Sequence, residues 1–203
     1  MAKKQITKKT RLSILKKRWY TIHAPALFQE SVIAETLTAD PALLVGRIVR
    51  VNLASLLRGS KRQTVEVRFR ITNVQGNACQ SAFVGFDILP PYVKRLTKRA
   101  RRRAEDSFMV ETKDAVRLRV KPMLLVRDRV QVGVLTALRH ASRTYVEATA
   151  RELPFSEFLT KALTGDLARD LKTAVKKVYP VVGAEIRAMV LPSFSVAAEE
   201  KPI

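Results

Sequence analysis

Cysteine occurs once, at Cys79, so the chain closes no disulfide within itself and builds no cage of several thiolates for a metal. Histidine occurs twice, at His23 and His140, and neither sits in a His-x-x-x-His or Glu-x-x-His spacing that would hold zinc. With seven glycines in all, neither a phosphate-cradling loop nor a dinucleotide fingerprint is found, and no Gly-x-Ser-x-Gly elbow occurs. No apolar run approaches the roughly 18–20 residues of a membrane span. Acids are scarce too: 18 against 38 Lys and Arg, a net charge of +20. That excess repels itself on compaction unless an anion meets it, which leaves nucleic acid, an anionic membrane or an acidic protein as the partner.

The charge is concentrated. The first 20 residues, MAKKQITKKTRLSILKKRWY, hold eight basic side chains and no acid, and residues 91–106 hold seven with two acids. The remaining 167 residues share only +7, so the two segments read as sites rather than as general solubility. The N-terminal segment has no apolar run of signal-peptide length with a cleavage site, and it is Lys-rich where a transit peptide is Arg- and Ser-rich. The chain reads as cytosolic.

Residues 1–20 lack a core-facing pattern and are expected to form a basic arm, mobile in the free protein and ordered only on its partner. Residues 21–191 read as one body, and 192–203 as a flexible tail. "YTIHAPALF" docks the arm, "TADP" turns the chain, and Gly46–Asn52 is strand-like. "LASLL" reads as a helical turn or short strand, and "RGSKRQ" (58–63) as an exposed basic loop. In "TVEVRFRITNV", Val65, Val67, Phe69 and Ile71 alternate with Glu66, Arg68, Arg70 and Thr72, a half-buried strand. "QGN" turns it, and Ala82, Val84, Phe86 and Ile88 bring back a second strand in phase, which makes a hairpin.

After Pro90 and Pro91, Val93, Leu96, Ala100 and Ala104 recur at helical spacing, which predicts a helix through "KRLTKRARRR" with a thin apolar edge. Val116, Leu118 and Val120 alternate with Arg117, Arg119 and Lys121, which predicts a second hairpin around "TKDA". "VQVGVLTAL" fits a strand or the lead into a helix. From Arg139 three short helices are expected, and 181–191 is a closing strand. The fold class is therefore α+β, with a curled or barrel-like, mostly antiparallel sheet, several helices and the extended N-terminal arm.

The counter-charge decides the partner. Seven cations within four helical turns repel one another, and like charges at i,i+4 destabilise a helix, so the segment needs phosphates. Arg spans two phosphate oxygens with its fork, while Lys acts as a point charge. Trp19, beside "LKKR", either stacks on an exposed base or packs on the domain. A membrane role lacks an amphipathic face, and duplex-DNA readout lacks a helix–turn–helix or zinc finger. The expected RNA-binding residues are Lys3, Lys4, Lys8, Lys9, Arg11, Lys16, Lys17, Arg18 and Trp19 in the arm. Lys61 and Arg62 add to them from the basic loop, and Lys94, Arg95, Lys98, Arg99, Arg101, Arg102 and Arg103 from the helix. The ordinary readings of His23 and His140 as surface or packing residues, of Cys79 as a small buried side chain, and of Asp87 as a cap leave no catalytic residue. No cofactor or metal is expected.

"KKRWYTIHAP", "ETLTADPALLVGR", "FRITNVQGNAC", "FVGFDI", "YVKRLTKRARRRAED", "VETKDAVRLRV" and "VKKVYP" follow one another in a familiar order. From about Lys16 to about Leu191 the chain resembles the small-subunit ribosomal protein S-three-A-e family of archaea and eukaryotes, also called eukaryotic-type S one. The resemblance implies a structural constituent of the small ribosomal subunit, on the platform near the messenger exit and in the cytoplasm. Its partners would be small-subunit ribosomal RNA and neighbouring platform proteins, with messenger RNA close by. It also implies a mixed body around a barrel-like sheet with basic extensions in RNA. "KKRWY" and Lys94–Arg103 match the family's basic motifs. Two departures stand out: Ala115 where the family usually has Gly after "TKD", and "RTYVEATAREL" as a loose version of a basic stretch. The short ending looks archaeal. The competing reading from another class is a free RNA-binding protein or RNA-processing enzyme that uses the same basic surface.

Overall fold

A computed structural model of the chain describes residues 16–56, 62–97, 102–127 and 130–192. The strands are β1 Arg18–His23, β2 Val32–Thr38, β3 Ile48–Asn52, β4 Val65–Gln75, β5 Ala78–Ile88, β6 Arg102–Glu105, β7 Phe108–Glu111, β8 Arg117–Val126 and β9 Gly183–Val190. The helices are α1 Leu53–Leu56, α2 Pro90–Leu96, α3 Val132–Glu152, α4 Phe155–Thr164 and α5 Asp166–Val175. Short 3-10 turns lie at Ala26–Phe28 and Pro41–Leu44.

The alternation in β4 dictates the centre of the fold. Val65, Val67, Phe69 and Ile71 are buried, and β4 pairs with β5 from Val65↔Ile88 to Gln75↔Ala78 as the long hairpin the sequence predicts. Beyond it, β5 carries β1 in parallel along Ala78–Gln80 and β9 in antiparallel along Gly85–Asp87. β1 and β9 therefore lie end to end on one edge of β5. β8 pairs with β9, and β6 and β7 lie end to end on the far edge of β8. The pair β7–β8 is the expected second hairpin.

The sheet is open, not barrel-like. Among the described residues β2 pairs only with β1, β3 only with β4, and β6 and β7 only with β8, so no outer strand closes on another. The physical reason is what covers the inner face. Helices do so: Leu138, Val146 and Ala150 of α3, Phe158 and Leu159 of α4, and Leu167, Leu171 and Val175 of α5 join Ala104, Phe108, Val120 and Met189 of the strands in one core. A sheet covered on one side by helices has no need to curl over its own apolar face. Phe28, Phe69, Phe83 and Phe155 extend that core as an aromatic group with centroids 5.2–6.3 Å apart. A second, smaller core holds Tyr20, Ile22, Leu44, Ile71 and Cys79. Burial raises the Cys79 thiol pKa, in keeping with a small apolar filler.

The structure bears on three further sequence expectations. The helix through "KRLTKRARRR" ends at Leu96. Arg102–Glu105 is a strand in register with β8 (Ala104↔Leu124), and 98–101 lie outside the described residues. Ala104 is indeed buried, at 2 % exposure, but on a sheet. An alanine stripe with four consecutive or near-consecutive arginines gives a helix little to hold it, and pairing with the buried Leu124–Val126 run wins. The undecided "VQVGVLTAL" and the first of the three expected helices are one helix, the 21-residue α3. The arm's last residues, Arg18–Tyr20, belong to β1, while residues 1–15 lie outside the description, as does the tail beyond 192.

Candidate nucleic-acid interface

The two basic segments stand at opposite ends of the sheet. Thr21 lies opposite Ala78, the first residue of β5, so Arg18 and Trp19 project past the start of that strand. α2 begins two residues beyond its other end. At about 3.3 Å per residue, β5 separates the two places by on the order of 30 Å. Lys16, Lys17 and Arg18 are exposed there. Trp19 is 63 % exposed and lies opposite Leu37, itself 43 % exposed, so the packing alternative for Trp19 does not hold. Tyr20, the next residue, points the other way into the small core, as strand alternation requires.

At the other end, Val93 anchors α2 while Lys94 and Arg95 remain exposed in its last turn. The Arg95 guanidinium stacks over the Tyr92 ring at 5.3 Å. Burial, then the nearby Glu185 carboxylate, push the Tyr92 phenol up. Arg102 and Arg103 are exposed on β6. Arg103 approaches Glu105 at 3.7 Å, and Glu105 also takes Arg187 at 3.2 Å. Lys3, Lys4, Lys8, Lys9, Arg11, Lys61, Lys98, Arg99 and Arg101 lie outside the described residues.

Arg62 is tied into the fold. Its Nη2 meets Glu185 Oε2 at 2.7 Å, and its Nη1 donates to the Leu163 carbonyl at 3.1 Å. It ties the segment after α1 to β9 and to the end of α4, where carbonyls lack helical partners. Asp87, read as a cap, instead pairs with Arg68 at 2.9 Å.

Sequence reasoning missed a set of cations between the two ends. Partners directly opposite on neighbouring strands share a face. Arg50↔Arg68, Arg68↔Gly85, Gly85↔Val190, Val190↔Arg119 and Arg119↔Met109 thus form one row across six strands. Asn52, Glu66, Asp87, Ala188 and Lys121 form the next row, and Ile48, Arg70 and Ala82 another. This is the sheet face away from the helices. The alternating arginines of "VEVRFR" and "VRLRV" signal an outward face, but only the pairing register shows that β3, β4 and β8 turn theirs to the same side.

Among the described residues, His23 and His140 included, no three His, Cys, Asp or Glu cluster as an ion would need. No described helix is long and apolar enough to cross a membrane.

The sequence profile of the Ribosomal S3Ae family matches residues 5–192. Small ribosomal subunit protein eS1 of Methanoculleus marisnigri is 32 % identical over 170 residues, covering 84 % of this chain and 86 % of that protein. The protein of the same name from Methanococcus maripaludis is 33 % identical over 183 residues, covering 90 % and 81 %. That of Nanoarchaeum equitans is 31 % identical over 176 residues, covering 87 % and 89 %. With a family profile spanning nearly the whole chain and relatives aligned along most of it, the chain belongs to the Ribosomal S3Ae family.

Proposed function

We propose that this protein holds small-subunit ribosomal RNA on the platform near the messenger exit, through its basic arm and the cations around α2 and β6, and so supports translation. The family match over residues 5–192 carries the reading: members named small ribosomal subunit protein eS1 make this chain a structural constituent of the small subunit, not an enzyme. The charge supports it, since +20 on 203 residues needs a polyanion, and ribosomal RNA supplies one phosphate per nucleotide. Neighbouring platform proteins and nearby messenger RNA complete the proposed surroundings.

Two measurements test it. The protein should co-sediment with small subunits in high salt and turn over no RNA. Its affinity for small-subunit ribosomal RNA should fall by roughly three to five decades between 50 and 200 mM salt if about 6–10 cations meet phosphates. A shallow salt slope, or sedimentation at the top of the gradient, overturns the reading. Cleavage or modification of an RNA substrate would favour the processing-enzyme alternative.

A further inference from the structure

The open face of the sheet is unusual for a surface with no assigned partner. Arg50 and Arg68 lie directly opposite one another, an arrangement that destabilises a strand pair unless a counter-charge is present. Among the described residues Asp87 pairs with Arg68 alone. Among the described residues no carboxylate stands within ion-pair distance of Arg50, Arg70, Arg119 or Lys121. Arg50 and Arg119 are exposed, Arg70 and Lys121 half-buried.

Their spacing has a shape. Arg50 and Arg70 flank one side, on β3 and β4, and Arg119 and Lys121 flank the other, on β8. Between them runs a strip of Ala82, Gly85, Ala188 and Val190, of which Gly85 and Ala188 are buried, and the same face carries half-buried Glu66 and Asp87, the latter paired with Arg68. Four strand spacings separate β3 from β8, about 19 Å along the sheet. The strip is also low. A Cβ on Gly85 would fall on the carbonyl oxygen of Met189, so β5 and β9 approach each other more closely there than any side chain permits.

We infer that this face is a second RNA seat, taking the backbone of an RNA duplex across the Gly85–Val190 strip, with Arg50 and Arg70 on one flank and Arg119 and Lys121 on the other. The strip carries no aromatic side chain on which splayed bases could stack, which disfavours single strands. It also offers no large apolar anchor in its centre, which disfavours a protein partner. Duplex RNA is recognised by shape and by its phosphates, and cation flanks about a flat floor serve that purpose. The position matters as well: the strip lies between the two basic ends, so one RNA can run from the Trp19 corner to the α2 end. The inference rests on the function proposed above and extends it to the sheet.

The test uses the full chain with Arg50→Gln and Arg119→Gln combined, against Lys161→Gln and Lys172→Gln combined on the helical layer. Binding is measured to small-subunit ribosomal RNA, with a plain RNA duplex and poly-U as competitors. The face variant should melt like the parent, bind about tenfold more weakly or worse, and lose about 2 from the slope of log affinity against log salt. The helical-layer variant should keep its slope, and the duplex should compete better than poly-U. An unchanged slope in the face variant, equal losses in both variants, or stronger competition by poly-U overturns the inference. Normal RNA binding by the face variant with loss from assembled subunits overturns it in favour of a protein contact. If the parent chain itself does not bind ribosomal RNA, it is the underlying function that fails.

Discussion

Arg62 and Glu185 stand 123 residues apart in the chain and 2.7 Å apart in space. Around this contact the Leu163 carbonyl, the Tyr92 phenol and Gly165 converge. Gly165 ends α4 in the left-handed region (φ 92°), and a Cβ there would meet the Arg62 guanidinium at 2.9 Å. The pair is a tertiary clamp between the segment entering β4, the α4–α5 corner and β9.

Removing one partner of this clamp should therefore cost stability and not RNA affinity. Both side chains are mostly buried (25 % and 18 % exposed), so Arg62→Ala leaves a desolvated carboxylate and should destabilise by about 1–2 kcal/mol. Arg62→Lys should recover little, because an ammonium cannot serve the carboxylate and the helix-end carbonyl with a planar fork. Urea unfolding with a parallel RNA-binding assay reads both. An Arg62→Ala protein that unfolds normally but binds RNA weakly would return Arg62 to the phosphate-contacting set.

Gly85 governs the junction of β5 with β9. Besides the Met189 carbonyl, a Cβ at this position would meet Val190 Cα at 3.1 Å, and both neighbours are backbone. Gly85→Ala must then part the two strands that connect the two halves of the sheet, an overpacking cost of about 1–3 kcal/mol. The expected readouts are a lower melting temperature and faster amide exchange at Gly85–Asp87 and Ala188–Val190. Unchanged exchange at these amides would mean that the strands accommodate the methyl elsewhere.

Local pattern made the β4–β5 and β7–β8 hairpins legible, because turn chemistry and period-two alternation act over a few residues and coincide in both places. The same logic failed at Ala104, where a spacing of four fits a helix and a single alanine fits either structure. The deciding partner, Leu124, lies 20 residues away in the chain. Of the site, the charge density of the arm and of 94–103 was visible as composition. The shared face of Arg50, Arg68 and Arg119 was not, since it depends on strand order. The tertiary contacts of Arg62 were not legible for the related reason that its acid, Glu185, comes from the last strand.

Ala115 occupies a position shaped for glycine. Its φ is +56°, and its N–H donates to the Thr112 carbonyl at 2.9 Å in the β7–β8 turn, the place where the family resemblance expects Gly. A left-handed conformation costs a residue with a Cβ about 1–2 kcal/mol. Ala115→Gly should recover roughly 0.5–1 kcal/mol after the greater entropy of the unfolded glycine is counted. Thermal melting checks it, with a rise expected. A fall would show that the turn's packing, and not its backbone, sets the balance.

Glu105 gives a prediction in which stability and binding move in opposite directions. It accepts Arg187 at 3.2 Å and approaches Arg103 at 3.7 Å, beside the basic segment and next to the Lys121 end of the open face. Its partners Arg103 and Arg187 are about half exposed (52 % and 49 %), so the two pairs are screened and together contribute only about 1 kcal/mol. Glu105→Gln removes that attraction and lowers the melting temperature slightly. The same change releases two guanidinium groups toward phosphate and adds one unit of net positive charge to the surface. RNA affinity should therefore rise by a few-fold, with a steeper salt slope, because each newly available cation displaces counterions from the RNA. If Glu105→Gln weakens RNA binding instead, the carboxylate is a positioning group that aims Arg103 and Arg187, and the RNA path crosses β6 through that fixed pair.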